Sequence, residues 1–301
     1  MKTLVIIGYV WPEPKSSAAG SRMLQLIELF TKHVERIIFA CPAELSEHAL
    51  DLSSIQVELQ HIALNCSSFD DWLASVDPQW VMFDRFMMEE QFGWRAEQTC
   101  PDALRILDME DVHSLRHARH HAVKQGRELQ PEDWFNEQTF REIASILRCD
   151  VTFVISEAEM TWLGEHFPIP ASHLCYVPFM VSDKTPAIET ETPAIETETP
   201  ALRASLPTFE QRQHFLAIGN FRHAPNWDSV LELKRLWPDI RQQLQKQGIN
   251  GVELHICGAY PPPKATQLHQ PKDGFLIKGW IDDAQQTLAN ARVLLAPLRF
   301  G

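Results

Sequence analysis

Short runs without charged residues and dominated by apolar ones recur along this chain. Thr3-Leu4-Val5-Ile6-Ile7-Gly8 is the first, and Val293-Leu294-Leu295-Ala296 is the last. A strand without polar alternation must be covered on both faces, which is the signature of a parallel sheet sandwiched between helices. Further strands are predicted at Arg36–Ala40, Val57–Ile62, Trp80–Asp84, Leu104–Leu107, Val151–Ile155 and Leu174–Val177, with helical stretches between most of them. The first helix is predicted from about Ser21 to Lys32, with Met23, Leu26, Ile27 and Phe30 on one face. A second series follows: strands Phe215–Ile218, Val252–Cys257, Phe275–Lys278 and Val293–Ala296. A helix starts near Asp228 and is expected to kink or restart at Pro238, and another covers 283–291. The fold class is therefore α/β, with two tandem Rossmann-like domains, the second incomplete.

Residues 185–201 interrupt the alternation with TPAIETE-TPAIETE-TPA. Pro186, Pro193 and Pro200 forbid a continuous helix, so the heptad period does not mean a coiled coil. An acidic, semi-stiff linker is expected over 182–208, between domains at 1–181 and 209–301.

Composition narrows the partners. A net charge of −13 argues against general nucleic-acid binding and against broad contact with anionic lipid. The six cysteines contain no C-x-x-C pair, a reduced, cytoplasmic pattern rather than a zinc or disulfide framework. No apolar run approaches the roughly 18 residues of a membrane span. His113, His117 and His121 share a helical face with Arg116, Lys124 and Arg127 nearby. Positions i to i+8 span about 12 Å, too far for three ligands on one ion, so no metal is assigned. The strip 116–127 is instead the candidate for receiving an anionic acceptor or for peripheral contact with the inner membrane face. A solvated helix face is the plainer reading.

The second half reads F-L-A-I-G-N-F-R-H-A-P-N-W-D, then V-E-L-H-I-C-G, then F-L-I-K-G-W-I-D-D, then A-R-V-L-L-A-P-L-R-F-G. In order and spacing this resembles the donor domain of group 1 (family 4) glycosyltransferases of the GT-B fold, of the bacterial polysaccharide type. Gly219, Pro225, Asn226 and Asp228 carry the G-x-x-x-x-x-P-N-x-D stretch. In the front half, Ser16 to Arg22 fills the small-residue loop after the first strand, and Val151–Glu159 matches the end of the acceptor domain.

The resemblance implies a retaining transfer of sugar from a nucleotide-sugar donor to a hydroxyl on a glycan or lipid-linked acceptor, with no cofactor and no required metal. Gly20 and Gly219 are placed for backbone N–H groups to approach a diphosphate, although each glycine also suits a plain strand-to-helix turn. Asn220 and Gly258 sit at the same strand ends. Arg222 is placed to fork onto phosphate oxygens. Gly279-Trp280-Ile281 lies near the nucleobase in the family, so Trp280 is expected to stack on it and Ile281 to offer backbone hydrogen bonds. Trp280 as ordinary packing is the competing use. Arg299 and Gly301 are expected at the near edge of the donor site. At the end of the Leu104–Leu107 strand, Asp111 and His113 are candidates to orient the acceptor hydroxyl, with helix N-capping the alternative for Asp111.

The family's paired glutamates, seven residues apart, would fall beyond Gly301, so the chain is expected to be a C-terminally truncated, impaired member. Two other classes compete: a nucleotide-sugar epimerase, and a non-catalytic nucleotide-binding scaffold.

Overall fold

The computed structural model describes residues 2–180 and 206–301. The heptad repeat and most of the expected linker lie outside the described residues. The chain divides into two compact units, Met1–Phe179 and Met180–Gly301.

The first unit is built on seven strands: β1 (Thr3–Ile7), β2 (Arg36–Cys41), β3 (Glu58–His61), β4 (Trp80–Asp84), β5 (Leu104–Asp108), β6 (Val151–Val154) and β7 (Leu174–Tyr176). All neighbours are parallel, in the order β3-β2-β1-β4-β5-β6-β7. The chain winds outward from β1 to β3 and then returns to place β4 beside β1. The topological switch point therefore lies between β1 and β4. Leu4, Val5, Ile6 and Ile7 are wholly buried, as a strand covered on both faces requires.

Seven helices accompany this sheet: α1 (Ala18–Phe30), α2 (Ser68–Val76), α3 (Phe86–Thr99), α4 (His113–Lys124), α5 (Pro131–Trp134), α6 (Glu137–Arg148) and α7 (Glu157–His166). The predicted first helix starts three residues late. Ser17 is the N-cap, its Oγ accepting from the Gly20 N–H at 3.0 Å.

The second unit holds β8 (Gln213–Ile218), β9 (Leu254–Cys257), β10 (Phe275–Gly279) and β11 (Ala291–Leu294), parallel in the order β10-β9-β8-β11. Its helices are α8 (Ala224–Lys246), α9 (Pro263–Thr266) and α10 (Ala284–Asn290). Two expectations need correction. The long helix starts four residues before Asp228 and runs through Pro238 without a restart. Pro238 is on the exposed face, so the carbonyl it leaves unbonded lies on the solvent side, while neighbouring Trp237 anchors the helix with its indole N–H on Asp273 O at 2.8 Å. The last strand is also not a buried one. It lies at 291–294, pairs with β8 alone among the described residues, and alternates in exposure, with Leu294 half exposed.

One buried ion pair fastens the carboxyl edge of the first sheet. Arg22 from α1 places Nε at 3.0 Å and Nη2 at 2.7 Å from Asp108 Oδ1, at the end of β5. Its Nη1 donates to Val177 O at 2.7 Å, just beyond β7. Both side chains are essentially inaccessible to water. Arg22→Ala would strand the Asp108 carboxylate, and a loss of about 3–5 kcal/mol is expected for the first unit in urea unfolding. The double variant Arg22→Met, Asp108→Leu should recover much of that loss, because neither partner then remains as a lone buried charge.

Candidate functional site

In the first unit, loops from β1, β4 and β5 converge on the carboxyl edge beside the switch point. Asp84 ends β4 and is buried; its Oδ2 accepts from the Tyr9 N–H at 3.1 Å. Its Oδ1 lies 3.5 Å from Arg85 Nε and has no hydrogen-bond partner. Arg85 instead forks onto Glu110, with Nε at 2.6 Å from Oε2 and Nη2 at 3.0 Å from Oε1, and lies over the Tyr9 ring. Arg85 (φ 72°) and Glu110 (φ 60°) both hold the left-handed backbone region, which is uncommon for residues with a side chain. Burial pushes the Asp84 and Glu110 carboxyls above their ordinary range, and repulsion from Asp108 adds to the first and from Asp84 to the second. Burial pulls the Arg85 guanidinium down, but Asp84 and Glu110 together more than offset it.

Asp111 and His113 stand just after this cluster. Asp111 pairs with Arg116, and His113 Nδ1 lies 3.4 Å from an Asp111 oxygen and 3.7 Å from Glu142 Oε1. Asp111 is not the N-cap of α4; that position is Val112, without a side-chain cap. The cap comes from α6, whose Glu142 accepts from the N–H groups of His113 at 2.9 Å and Ser114 at 3.0 Å. Glu159 of α7 adds a bond from the Val112 N–H at 3.0 Å. Sequence spacing gave no signal for this cap, because Glu142 lies 29 residues downstream. Asp84 did carry one: Phe83-Asp84-Arg85 repeats the pattern of Leu107-Asp108-Met109, an aspartate closing an apolar strand.

Gly20 sits in the first turn of α1. A Cβ there would fall 2.4–2.6 Å from backbone atoms of Glu13, so the glycine lets the β1–α1 loop lie against the helix, and its N–H is already held by Ser17. The basic strip on α4 is largely compensated: Arg116 pairs with Asp111, and Arg127 with Asp133. An open cavity of about 440 Å³ beside it carries His117 and His121 but also Asp133 and Glu137. No described helix is long and apolar enough to cross a membrane.

The second unit is organised differently at the same edge. Gly219, Gly258 and Gly279 follow or close β8, β9 and β10, and the backbone laces them together. Gly219 N–H donates to Cys257 O at 3.1 Å, and Gly258 N–H to Gly279 O at 2.7 Å. Gly258 has φ 147°, and a Cβ on it would fall 1.9 Å from Gly219 O, so no side chain fits. The result is a strip of bare backbone across three neighbouring strand ends. Asn226 Nδ2 donates to Asn220 O at 3.0 Å, and Asn220 Oδ1 accepts from the Arg222 N–H at 2.9 Å, which fixes the turn into α8. Helix α8 then begins with no side-chain cap and no acid in its first turn. Exposed Arg222 stacks on the Tyr260 ring at 3.6 Å, leaving its N–H edge available to an anion. An uncapped helix N-terminus and a stacked arginine, beside strand ends that carry no side chain, together favour a phosphate.

Residues 212–301 match the family of group 1 glycosyl transferases. The second unit is a group 1 glycosyltransferase domain. No curated protein sequence matches the chain. Among solved structures, the lipopolysaccharide outer core galactosyltransferase WaaB is similar at 14% identity and a TM-score of 0.56, over 98% of this chain and 74% of its own. The sucrose-phosphate synthase of Thermosynechococcus elongatus is similar at 13% identity and 0.59, over 100% and 77%. The UDP-GlcNAc 2-epimerase of Methanocaldococcus jannaschii is similar at 10% and 0.52, over 98% and 78%. At these identities the likeness establishes the GT-B fold.

Within the glycosyltransferase domain, Trp280 is half-buried and its indole N–H donates to Asp282 Oδ1 at 2.9 Å; Ile281 is half-buried beside it. Arg299 is committed to Asp228 of α8, with Nε at 2.8 Å from Oδ2, an ion pair that spacing did not reveal. Gly301 is exposed and follows buried Phe300.

The His113 environment predicts a pH signature. Burial lowers its pKa, but the Glu142 hydrogen bond and the charges of Asp111 and Glu142 win, and the net shift is upward. A folded-state pKa above the unfolded value of about 6.5 means the protonated ring stabilises the fold fully below that pH. That contribution fades as pH rises through the folded value. The stability difference between wild type and His113→Gln, measured by urea unfolding, should therefore shrink steadily from pH 6 to pH 9.

Proposed function

We propose that this glycosyltransferase moves a sugar from a nucleotide-sugar donor to a hydroxyl of a glycan or lipid-linked acceptor, with retention at the anomeric carbon and without a metal. The bare-backbone edge of the second unit carries this reading, because the family match falls on that unit and its features suit a diphosphate. When the bond from the anomeric carbon to the diphosphate oxygen breaks, negative charge grows on the leaving group. The α8 N-terminus and Arg222 are suited to stabilise it by preorganised dipoles and charge. Gly219, Asn220 and Gly258 form the floor, Trp280 and Ile281 are assigned to the nucleobase, and Arg299 is assigned to the donor side through its hold on the first turns of α8. Acceptor recognition is assigned to the carboxyl edge of the first unit, where Asp84 and Arg85 join Asp111 and His113.

An epimerase reading draws on the fold similarity to the Methanocaldococcus jannaschii enzyme, and product analysis separates the two. Incubation with UDP-, GDP- and ADP-sugars should yield a nucleoside diphosphate and a glycosylated acceptor. Isomerised nucleotide-sugar as the main product would overturn the transfer reading. Calorimetric titration should show one nucleoside diphosphate preferred, and Arg222→Ala should weaken it about tenfold, the loss of one charge-assisted phosphate contact.

A further inference from the structure

At the opposite end of the second sheet, three side chains with metal-ligating atoms meet across adjacent strands. His214 is the second residue of β8, Glu253 immediately precedes β9, and His255 is its second residue. The register sets Leu216 against His255 and Phe215 against Leu254, which brings His214 beside the Glu253–His255 pair. His255 Nε2 lies 2.7 Å from Glu253 Oε2, and His214 Nε2 lies 3.9 Å from the same oxygen. The two imidazole rings are 4.9 Å apart, and one ligand atom from each of the three residues falls within 4.8 Å of the others. All three side chains are 24–36% exposed, open enough for an ion to enter.

We propose that His214, Glu253 and His255 form a binding site for a divalent transition-metal ion of the zinc type. Two imidazoles and a carboxylate are a regular zinc ligand set, with the fourth position left to water. Ligand atoms around a tetrahedral zinc stand roughly 3.3 Å apart, and the two measured separations of 2.7 and 3.9 Å bracket that value. The ion takes the place of the hydrogen bond between His255 Nε2 and Glu253 Oε2. Two features keep the affinity below that of a closed structural site. The Glu253 N–H donates to His214 Nδ1 at 3.3 Å, a long bond that is surrendered when Nε2 becomes the ligand. Lys278 on β10 adds a nearby positive charge.

The site is separate from the glycosyl-transfer edge. Four residues of β8, 215–218, lie between His214 and Gly219, a rise of about 16 Å. An open cavity of about 390 Å³ adjoins the cluster and is lined by Gln211, Gln213, Thr287 and Asn290. These polar groups suit a hydrated ion. The bound ion would clamp β8 to β9 at their amino ends.

The test is calorimetric titration of the EDTA-stripped full chain with zinc chloride. One ion per chain is expected, and His255→Gln or Glu253→Gln should weaken it at least about tenfold. Cys66 and Cys175 are the cysteines reached by solvent, and a Cys66→Ser, Cys175→Ser variant should bind zinc unchanged. Circular dichroism guards against unfolding of the variants, and a zinc-induced rise in melting temperature should occur in wild type and not in His255→Gln. Absence of saturable 1:1 binding overturns the proposal. So does binding that survives in both histidine and glutamate variants, or that vanishes with the cysteines. None of these outcomes depends on sugar transfer.

Discussion

The carboxylate of Asp108 is the constraint around which the first unit is arranged. It is shut off from water at the end of a central strand, where an unpaired charge would cost several kcal/mol. Arg22 makes its burial tolerable, and in doing so ties α1 to β5 and to the backbone after β7. The residues that follow repeat the device at greater exposure. Glu110 is held by Arg85 and Asp111 by Arg116, so three acids in one short loop are each fixed by an arginine from a different segment. The loop that closes the switch-point edge is thus set by charge pairing rather than by regular structure.

The second unit reaches a comparable edge by the opposite route. Side chains are removed from three strand ends, where Gly258 and Gly279 are buried and Gly219 is partly exposed. A side-chain-rich edge can distinguish hydroxyls by hydrogen bonding, whereas a bare edge beside an uncapped helix suits an anion whose charge grows during reaction. That contrast is the physical basis for giving the acceptor to one unit and the donor to the other.

Much of this was legible in the sequence because it depends on local pattern. Ten of the eleven described strands lie on largely apolar runs, the polar edge strand β3 being the exception, and Trp80–Asp84 is bounded to the residue. Gly219 and Gly258 are visible as glycines closing strands. What escaped was set by distant partners. Asp111 looked like a helix cap, but the cap is Glu142 from another helix. Pro238 looked like a break, yet its exposed position lets α8 continue. The final strand looked buried because its residues are apolar, but burial belongs to neighbours, and β11 has one strand neighbour among the described residues. Gly20 suggested an anion site from its spacing, while its contact with Glu13 shows a packing reason for the same residue.

The proposed sugar transfer depends most on the glycine edge as the seat of the donor diphosphate. Hydrogen–deuterium exchange of the full chain, with and without UDP, GDP and ADP, tests this directly. One nucleotide should slow exchange at 219–227, 258–261 and 279–282 while leaving 213–216 and the first unit's amides unchanged. Protection confined to the first unit, or none with any of the three, would contradict it.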